Sequence, residues 1–75
     1  MFEVKSPSDR WSDLLEKAVE YLKSGVLKVC IVDPQRRAIT IYSQDEPERV
    51  LTENDVFELP EIFPGLSVPV ARFFE

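Results

Sequence analysis

The run Phe2-Glu3-Val4-Lys5-Ser6-Pro7-Ser8-Asp9 decides how the beginning of the chain folds. Successive side chains of a β-strand point to opposite faces, so a strand here places Glu3 and Lys5 together on one face. The apolar Phe2 and Val4 then lie on the other face. The serines and the proline interrupt the strand and favour the start of a helix. The run therefore predicts a strand that leads directly into a helix.

A helix is predicted over residues 8–24, because apolar side chains recur there at the spacing of one buried helical stripe. The predicted stripe is Trp11, Leu14, Leu15, Ala18, Val19 and Leu22. The predicted solvent face carries Asp13, Glu16, Glu20 and Lys23. Either Ser6, with Pro7 in the first turn, or Ser8 is expected to cap the helix, and Gly25 to end it.

Three further strands are predicted, over residues 27–33, 38–43 and 48–52. The first contains four consecutive apolar residues, which is typical of a strand covered on both faces. Asp33 and Pro34 favour a turn that joins it to the second strand as a hairpin. The remaining residues, with prolines between apolar side chains, predict an extended tail that wraps the sheet and ends in one helical turn over residues 70–74.

The order strand, helix, strand predicts a βαβ unit with two parallel strands, which the hairpin extends. The fold class is therefore α/β, with one main helix and an extended C-terminal tail, in a single domain over residues 1–75. The first strand is expected at an open edge of the sheet, where another chain could pair with it.

Composition excludes several classes of function. The chain has 75 residues and a net charge of -5, which argues against binding nucleic acid through bulk charge. It has no His and a single Cys, so His-based catalysis and an intramolecular disulfide are excluded. No apolar stretch is long enough to span a membrane. The expectation is a soluble cytoplasmic protein.

Most side chains that could bind a ligand also have an ordinary structural interpretation. Without further information, Glu3 and Lys5 are a polar strand face or an ion pair. Lys17 is expected to pair with Asp13 one helical turn away, although it could also reach a site near Glu3. Asp9 and Asp13 are expected to support the helix start rather than bind a metal.

The same holds for the other candidates. Asp33 is expected to stabilise the turn before Pro34, and Cys30 to pack in the core. Trp11 and the tail aromatics are expected to pack rather than stack on nucleic-acid bases, because the sequence shows no basic groove beside them.

A series of motifs along the chain resembles one known family. These motifs are residues 3–10, the helix with Leu14, Glu16-Lys17 and Tyr21, Gly25-Val26, Val32-Asp33-Pro34, Arg37, Ile39, Ile41-Tyr42 and residues 62–70. They resemble the C-terminal part of the bacterial restriction-endonuclease-like family in the PD-(D/E)xK nuclease superfamily. The resemblance implies a partial restriction-endonuclease-like sheet and a metal-dependent endonuclease that hydrolyses phosphodiester bonds in DNA.

The resemblance also implies roles for three residues of the Glu-x-Lys motif. Glu3 and the carbonyl of Val4 would bind Mg²⁺, and Lys5 would position or activate the attacking water. Mg²⁺ prefers oxygen ligands and keeps several waters, which is compatible with such a site. The family's further metal-binding Asp lies upstream of this motif and is expected to be missing from the chain.

Three hypotheses about function follow from the sequence. The chain is an incomplete nuclease-family protein that is inactive alone, or it is an active nuclease once a partner chain supplies the missing Asp. Alternatively, it is a non-enzymatic interaction module that associates with itself or with a full-length homologue through its open sheet edge.

Overall fold

The chain begins with a short strand followed by a helix, as the opening run predicts, but a turn separates the two elements. In the computed structural model, which describes residues 1–75, the elements are β1 (Phe2–Val4), α1 (Trp11–Lys23), β2 (Lys28–Asp33), β3 (Ala38–Ser43), β4 (Arg49–Leu51), β5 (Val56–Phe57), β6 (Val68–Pro69) and a 3₁₀ helix (Val70–Phe74). The α/β class, the main helix and the final helical turn are confirmed. No helix combines the length and the apolar character that crossing a membrane needs.

The main sheet has four strands in the order β1-β2-β3-β4. β1 runs parallel to β2, with Glu3 opposite Ile31, so α1 connects two neighbouring parallel strands. β2 and β3 form the predicted hairpin, and β4 pairs antiparallel with β3. The βαβ unit and its hairpin are therefore confirmed, and β1 lies at an open edge.

The tail contains a second, two-stranded sheet, which the sequence did not predict. β5 and β6 pair antiparallel, with Val56 opposite Pro69. Proline is rare in sheets because it has no N–H to donate, and its presence favoured an irregular tail. A two-residue strand in a two-stranded sheet has a free edge on one side, so it accommodates this proline.

Two layers cover the main sheet. On one face α1 packs on β2 through Leu14, Ala18, Val29 and Ile31. On the other face the tail contributes Phe57, Leu59 and Val70 to a core that also contains Cys30, Val32, Ile39, Ile41 and Leu51. All six residues of β2 are buried, which confirms that this strand is covered on both faces.

The start of α1 differs from the prediction. The helix begins at Trp11 with Arg10 at the N-cap, and no side chain caps it. Instead of capping the helix, Ser6 closes a turn ahead of it. The Ser6 backbone N–H donates to a carboxylate oxygen of Asp9 at 2.9 Å, and the Asp9 N–H donates to the Ser6 carbonyl at 3.1 Å. This turn sets the direction in which the chain leaves β1.

The buried stripe of α1 is narrower than predicted. Leu15 and Val19 are 39% and 49% exposed, so their assignment to the buried stripe was wrong. Tyr21, which the prediction left out, packs against the α1–β2 core instead. The four predicted solvent-face residues are exposed. A single helix that covers a narrow sheet buries little more than one row of side chains.

Gly25 and Asp33 have the roles at the turns that the sequence predicts. Gly25 ends the helix with a φ of 104°. The buried Asp33 carboxylate accepts hydrogen bonds from the backbone N–H groups of Gln35 and Arg36, at 3.1 and 3.4 Å. Arg37 adopts a left-handed φ of 52° just before β3. Asp33 therefore stabilises the hairpin turn, as expected.

A nearly buried lysine joins the tail to the hairpin. The side chain of Lys28 is 7% exposed. Its ammonium group donates to Ser43 Oγ at 2.9 Å and lies 3.5 and 3.1 Å from carboxylate oxygens of Glu46 and Glu61. Glu46 follows β3 and Glu61 lies in the tail, so one cation connects two segments that are distant in sequence.

Candidate active site

Glu3 and Lys5 lie at the open edge of the main sheet, on the face that α1 covers. Both side chains are partly buried, whereas Phe2 and Val4 are 45% and 65% exposed. The predicted alternation is therefore present in the structure. A carboxylate and an ammonium group are carried two residues apart on one strand face.

The carboxylate of Glu3 is held by a tyrosine on α1. Tyr21 Oη donates a hydrogen bond to Glu3 Oε1 at 3.1 Å, in a partly buried position. The sequence reasoning did not assign this role to Tyr21. The signal was available, because Leu14, Ala18 and Tyr21 recur at helical spacing and a partly buried tyrosine hydroxyl usually finds a polar partner.

Lys5 lies beside the first residue of α1. Its Nζ is 5.9 Å from the centre of the Trp11 ring, which is within the range of a cation–π contact. The same nitrogen is 3.4 Å from the carbonyl oxygen of Ser6. Trp11 therefore packs against the α1–β2 core and also contacts the candidate catalytic lysine.

The backbone of β1 offers hydrogen-bonding groups to the open edge. The Met1 carbonyl accepts from the Cys30 N–H, and the Lys5 N–H donates to the Val32 carbonyl, both at 2.8 Å. In a parallel ladder, alternate residues bond to the same neighbour. The N–H and C=O groups of Phe2 and Val4 therefore point away from β2, so the Val4 carbonyl lies at the edge next to Glu3.

The other residues proposed around the site are not organised as metal ligands. Asp9 accepts the hydrogen bond from Ser6 described above, and this bond is the main reason why the pKa of Asp9 is lowered. Asp33 is used in the hairpin turn. The expected ion pair between Lys17 and Asp13 is not among the salt bridges, so that prediction was wrong. Both side chains are exposed, where such pairs contribute little.

The donor atoms of residues 1–75 do not form a complete metal site. No three or more His, Cys, Asp or Glu side chains are grouped so that they could hold a metal ion. Glu3 supplies one carboxylate, and one of its oxygens already accepts a hydrogen bond from Tyr21. The residues present therefore place one side-chain carboxylate at this edge, and a complete set of oxygen ligands for a cation such as Mg²⁺ is not present.

Known proteins resemble this chain both in sequence family and in fold. The Uma2 family model, described as "Putative restriction endonuclease", matches residues 1–71. No curated protein matches the chain. The structure is similar to a crystal structure described as "a putative nuclease belonging to DUF820 from Anabaena variabilis ATCC 29413", with a TM-score of 0.87 and 18% sequence identity.

The structural match extends over almost the whole chain but less than half of the relative. It covers 97% of this chain and 41% of that chain. At this identity the match shows the fold, and the family model, which covers most of the chain, shows the family. The chain therefore belongs to the Uma2 family of restriction-endonuclease-like proteins.

Proposed function

We propose that residues 1–75 supply the Glu-x-Lys part of a metal-dependent site for phosphodiester hydrolysis, and that they do not cleave DNA alone. The observation that carries this proposal is the placement of Glu3 and Lys5 on one face at the open edge of the sheet, in a chain of the Uma2 family. The remaining acidic ligands would come from residues outside this segment, in the same polypeptide or in a partner chain.

Each of the three residues has a role that its position supports. The Glu3 carboxylate is anchored by Tyr21 through one oxygen, which leaves the other oxygen free for a cation. The Val4 carbonyl points toward the open edge, where it would be a second oxygen ligand. The Lys5 ammonium lies on the same face as Glu3 and would stabilise negative charge on a phosphate or orient a water molecule.

Binding of a divalent cation at Glu3 and Val4 is also part of the proposed function. A divalent cation such as Mg²⁺ would polarise the phosphate and lower the pKa of a bound water. Residues 1–75 do not provide a complete ligand set, so further ligands from outside this segment would be needed to hold the cation. DNA as the substrate is likewise a prediction that follows from the family, and a cytoplasmic location is a prediction from the sequence.

The experiment is a plasmid-nicking assay with the 75-residue chain in the presence of Mg²⁺ or Mn²⁺. We expect no metal-dependent cleavage by the wild-type chain, because one side-chain carboxylate holds Mg²⁺ weakly. The matched variants are Glu3→Gln and Lys5→Met at the site, and Glu20→Gln and Lys23→Met on the exposed face of α1. Metal-dependent nicking that disappears only in the two site variants would show that residues 1–75 are a complete nuclease.

A second function is favoured by the open edge of β1. The backbone groups of Phe2 and Val4 are directed away from β2, and both side chains are exposed apolar groups. Such an edge pairs readily with a strand of another chain. The corresponding function is association with a second copy of this chain or with a homologue, which would also be a route by which the missing acidic ligands reach Glu3.

A further inference from the structure

A groove of about 260 Å³ lies between α1 and the outer strands of the sheet. Trp11 and Leu15 line it from α1, and Thr40 and Tyr42 line it from β3. Because α1 packs mainly on β2, it leaves this part of the same sheet face uncovered. The volume lies just below the range of about 300–1,000 Å³ typical of small-molecule pockets. The groove therefore suits one ring system and not a larger ligand.

One cation lines this groove, and a second lies beside one of its lining residues. Lys5 follows β1 and contacts Trp11, and Arg36 lines the groove from the turn after β2. β1 and β2 are parallel, so Lys5 and Arg36 lie beyond the same carboxyl ends of neighbouring strands, a common place for ligands in α/β sheets. The Asp33 carboxylate is 4.0 Å from Arg36 Nε, but it is already engaged in the turn.

Other residues that line the groove carry polar groups that could bond to the edge of a ligand's ring. Thr40 contributes a hydroxyl, and Glu48 contributes a carboxylate at the outer side. The pKa of Tyr42 is raised, first by burial and then by the negative charge of Glu48. Glu48 and Tyr42 line the same groove, so the Glu48 carboxylate can accept a hydrogen bond from an amino group of a base.

We infer that this groove binds the base of an unpaired nucleotide, with the phosphate of that nucleotide beside Lys5 and Arg36. The inference rests on the proposed function, because Lys5 would then contact both the scissile site and the neighbouring nucleotide. Aromatic side chains with adjacent cations are the usual elements of single-strand recognition. The sequence showed no basic groove next to Trp11, but the fold brings Lys5 and Arg36 to it.

Charge decides between a nucleotide and an apolar peptide side chain as the occupant. Arg36 in the lining and Lys5 beside Trp11 suit the phosphate of a nucleotide, and the Asp33 carboxylate between the strands and the turn is already hydrogen-bonded. An apolar peptide side chain has no group for either cation to bind. The overall charge of -5 opposes binding of polyanions, so affinity is expected to be low, on the order of 1 mM for a single nucleotide.

The test uses the indole N–H signal of Trp11, the only tryptophan in the chain, in NMR titrations without metal ions. Deoxynucleoside monophosphates are expected to shift this signal saturably, deoxynucleosides to bind more weakly, and inorganic phosphate alone to leave it nearly unchanged. N-acetylphenylalanine amide is the peptide-like comparison. Saturation by this compound, without a response to the nucleotides, would overturn the inference in favour of a peptide site.

Variants separate the two ends of the groove. Arg36→Ala is expected to weaken nucleotide binding about threefold to fivefold, the upper range for an exposed ion pair, whereas Lys23→Ala on the far side of α1 leaves binding unchanged. Tyr42→Leu is expected to weaken binding roughly tenfold, and Tyr42→Phe, which keeps the ring, to retain it. If Tyr42→Leu does not fold, Thr40→Val is a nearly isosteric second variant. It removes the Thr40 hydroxyl from the groove and is expected to weaken nucleotide binding.

Equal affinity of all folded variants would overturn the inference. Because these titrations contain no metal and measure no cleavage, their result is independent of the nicking assay. A groove that binds nucleotides in a chain whose Glu3 binds no cation would support this inference and contradict the proposed function. Cation binding at Glu3 in a chain whose groove binds no nucleotide would support the proposed function and contradict this inference.

Discussion

The hydrogen bond between Tyr21 and Glu3 determines what the carboxylate at the sheet edge can do. Tyr21 Oη holds Oε1 at 3.1 Å in a partly buried position. A carboxylate held in this way points one free oxygen in a fixed direction, and the reduced contact with water strengthens its interaction with a nearby cation. The same bond joins α1 to β1, so it also contributes to stability.

The first prediction concerns this pair. We expect Tyr21→Phe and Glu3→Met to show a coupling of about 0.5–1.5 kcal/mol in a double-mutant cycle, because each removes one partner of this partly buried hydrogen bond. Urea unfolding followed by circular dichroism measures the four free energies of unfolding. Additive effects of the two substitutions would show that the bond does not contribute in solution.

Residue-level prediction succeeded where the signal was local. An Asp just before a Pro is typical of a turn, and the sequence therefore predicted the role of Asp33. Its carboxylate accepts hydrogen bonds from the backbone N–H groups of the residues two and three positions later. The serines before α1 indicated an N-cap, but Asp9 bonds back to Ser6 and the cap position falls on Arg10. The same serines can cap a helix or close a turn with Asp9, and the sequence alone does not show which of the two forms.

Lys28 links β2, the loop after β3 and the tail. Burial alone would lower the pKa of this lysine. The hydrogen bond with Glu61 and the charges of Glu46 and Glu61 outweigh burial, and the net effect raises its pKa. The pKa of Glu61 is lowered, chiefly by a hydrogen bond from its own backbone N–H and then by Lys28.

The second prediction is a dependence of stability on pH that passes through Glu61. Its folded pKa lies below the ordinary value of 4.5, so its contribution is present above that value and is lost as the pH falls through the lowered pKa. Lys28, with its raised pKa, keeps its charge below 10.5 and loses its contribution only in more alkaline solution. Between these limits the cluster contributes a constant amount.

Thermal unfolding at neutral pH and at about pH 4 tests this assignment. We expect the loss of stability in acid to be smaller in Glu61→Gln than in the wild type, and unchanged in Glu58→Gln, an exposed acid in the same segment. Lys28→Met is expected to lower Tm at neutral pH by roughly 5 °C, or about 1 kcal/mol for a domain of this size. Identical acid sensitivity of Glu61→Gln and wild type would contradict the role of Glu61.

The elements of the main sheet and the final helical turn could be predicted, whereas the two strands of the tail could not. The apolar residues in β2 and the β-branched residues in β3 both predict strands, and the periodicity from Trp11 onward predicts the helix. β5 and β6 have two residues each, too few for a periodic pattern. Their pairing depends on packing of Phe57, Leu59 and Val70 against the sheet, which a local pattern does not contain.

The whole molecule presents its unpaired edge and an aromatic cluster side by side. Phe2 lies 5.8 Å from Phe57, which lies 5.3 Å from Phe73, measured between ring centres. Phe2 and Phe73 are 45% and 37% exposed, and Val4 on the same strand is 65% exposed. Apolar side chains beside an unpaired strand favour association with another chain.

The third prediction is that association depends on β1. We expect the chain to form dimers or larger species as its concentration rises in light scattering, and Val4→Asp to suppress them. A charged side chain at an edge strand is a common device against strand pairing. Val50→Asp on the opposite edge strand, β4, is the matched control at a position of similar exposure, 53%. A strictly monomeric chain at all concentrations would contradict association through this edge.

The candidate site could be predicted only in part. The alternation of β1 placed Glu3 and Lys5 together, and the motif series indicated the family. The contact between Tyr21 and Glu3, 18 residues apart, and the groove beside Trp11 arise from how α1 lies on the sheet. A sequence pattern gives the face of a strand or helix but not the lateral position of one element on another.

We propose above all that Glu3 and Val4 form one part of a divalent-cation site at the open edge of β1. Mn²⁺, an oxygen-binding substitute for Mg²⁺, reveals even weak sites because it broadens the NMR signals of nearby amides. We predict that small amounts of Mn²⁺ broaden the backbone signals around Glu3, Val4 and Lys5 first, and that Glu3→Gln but not Glu20→Gln removes this effect. Broadening centred elsewhere, such as around Glu46 and Glu61, and unchanged in Glu3→Gln would contradict the claim.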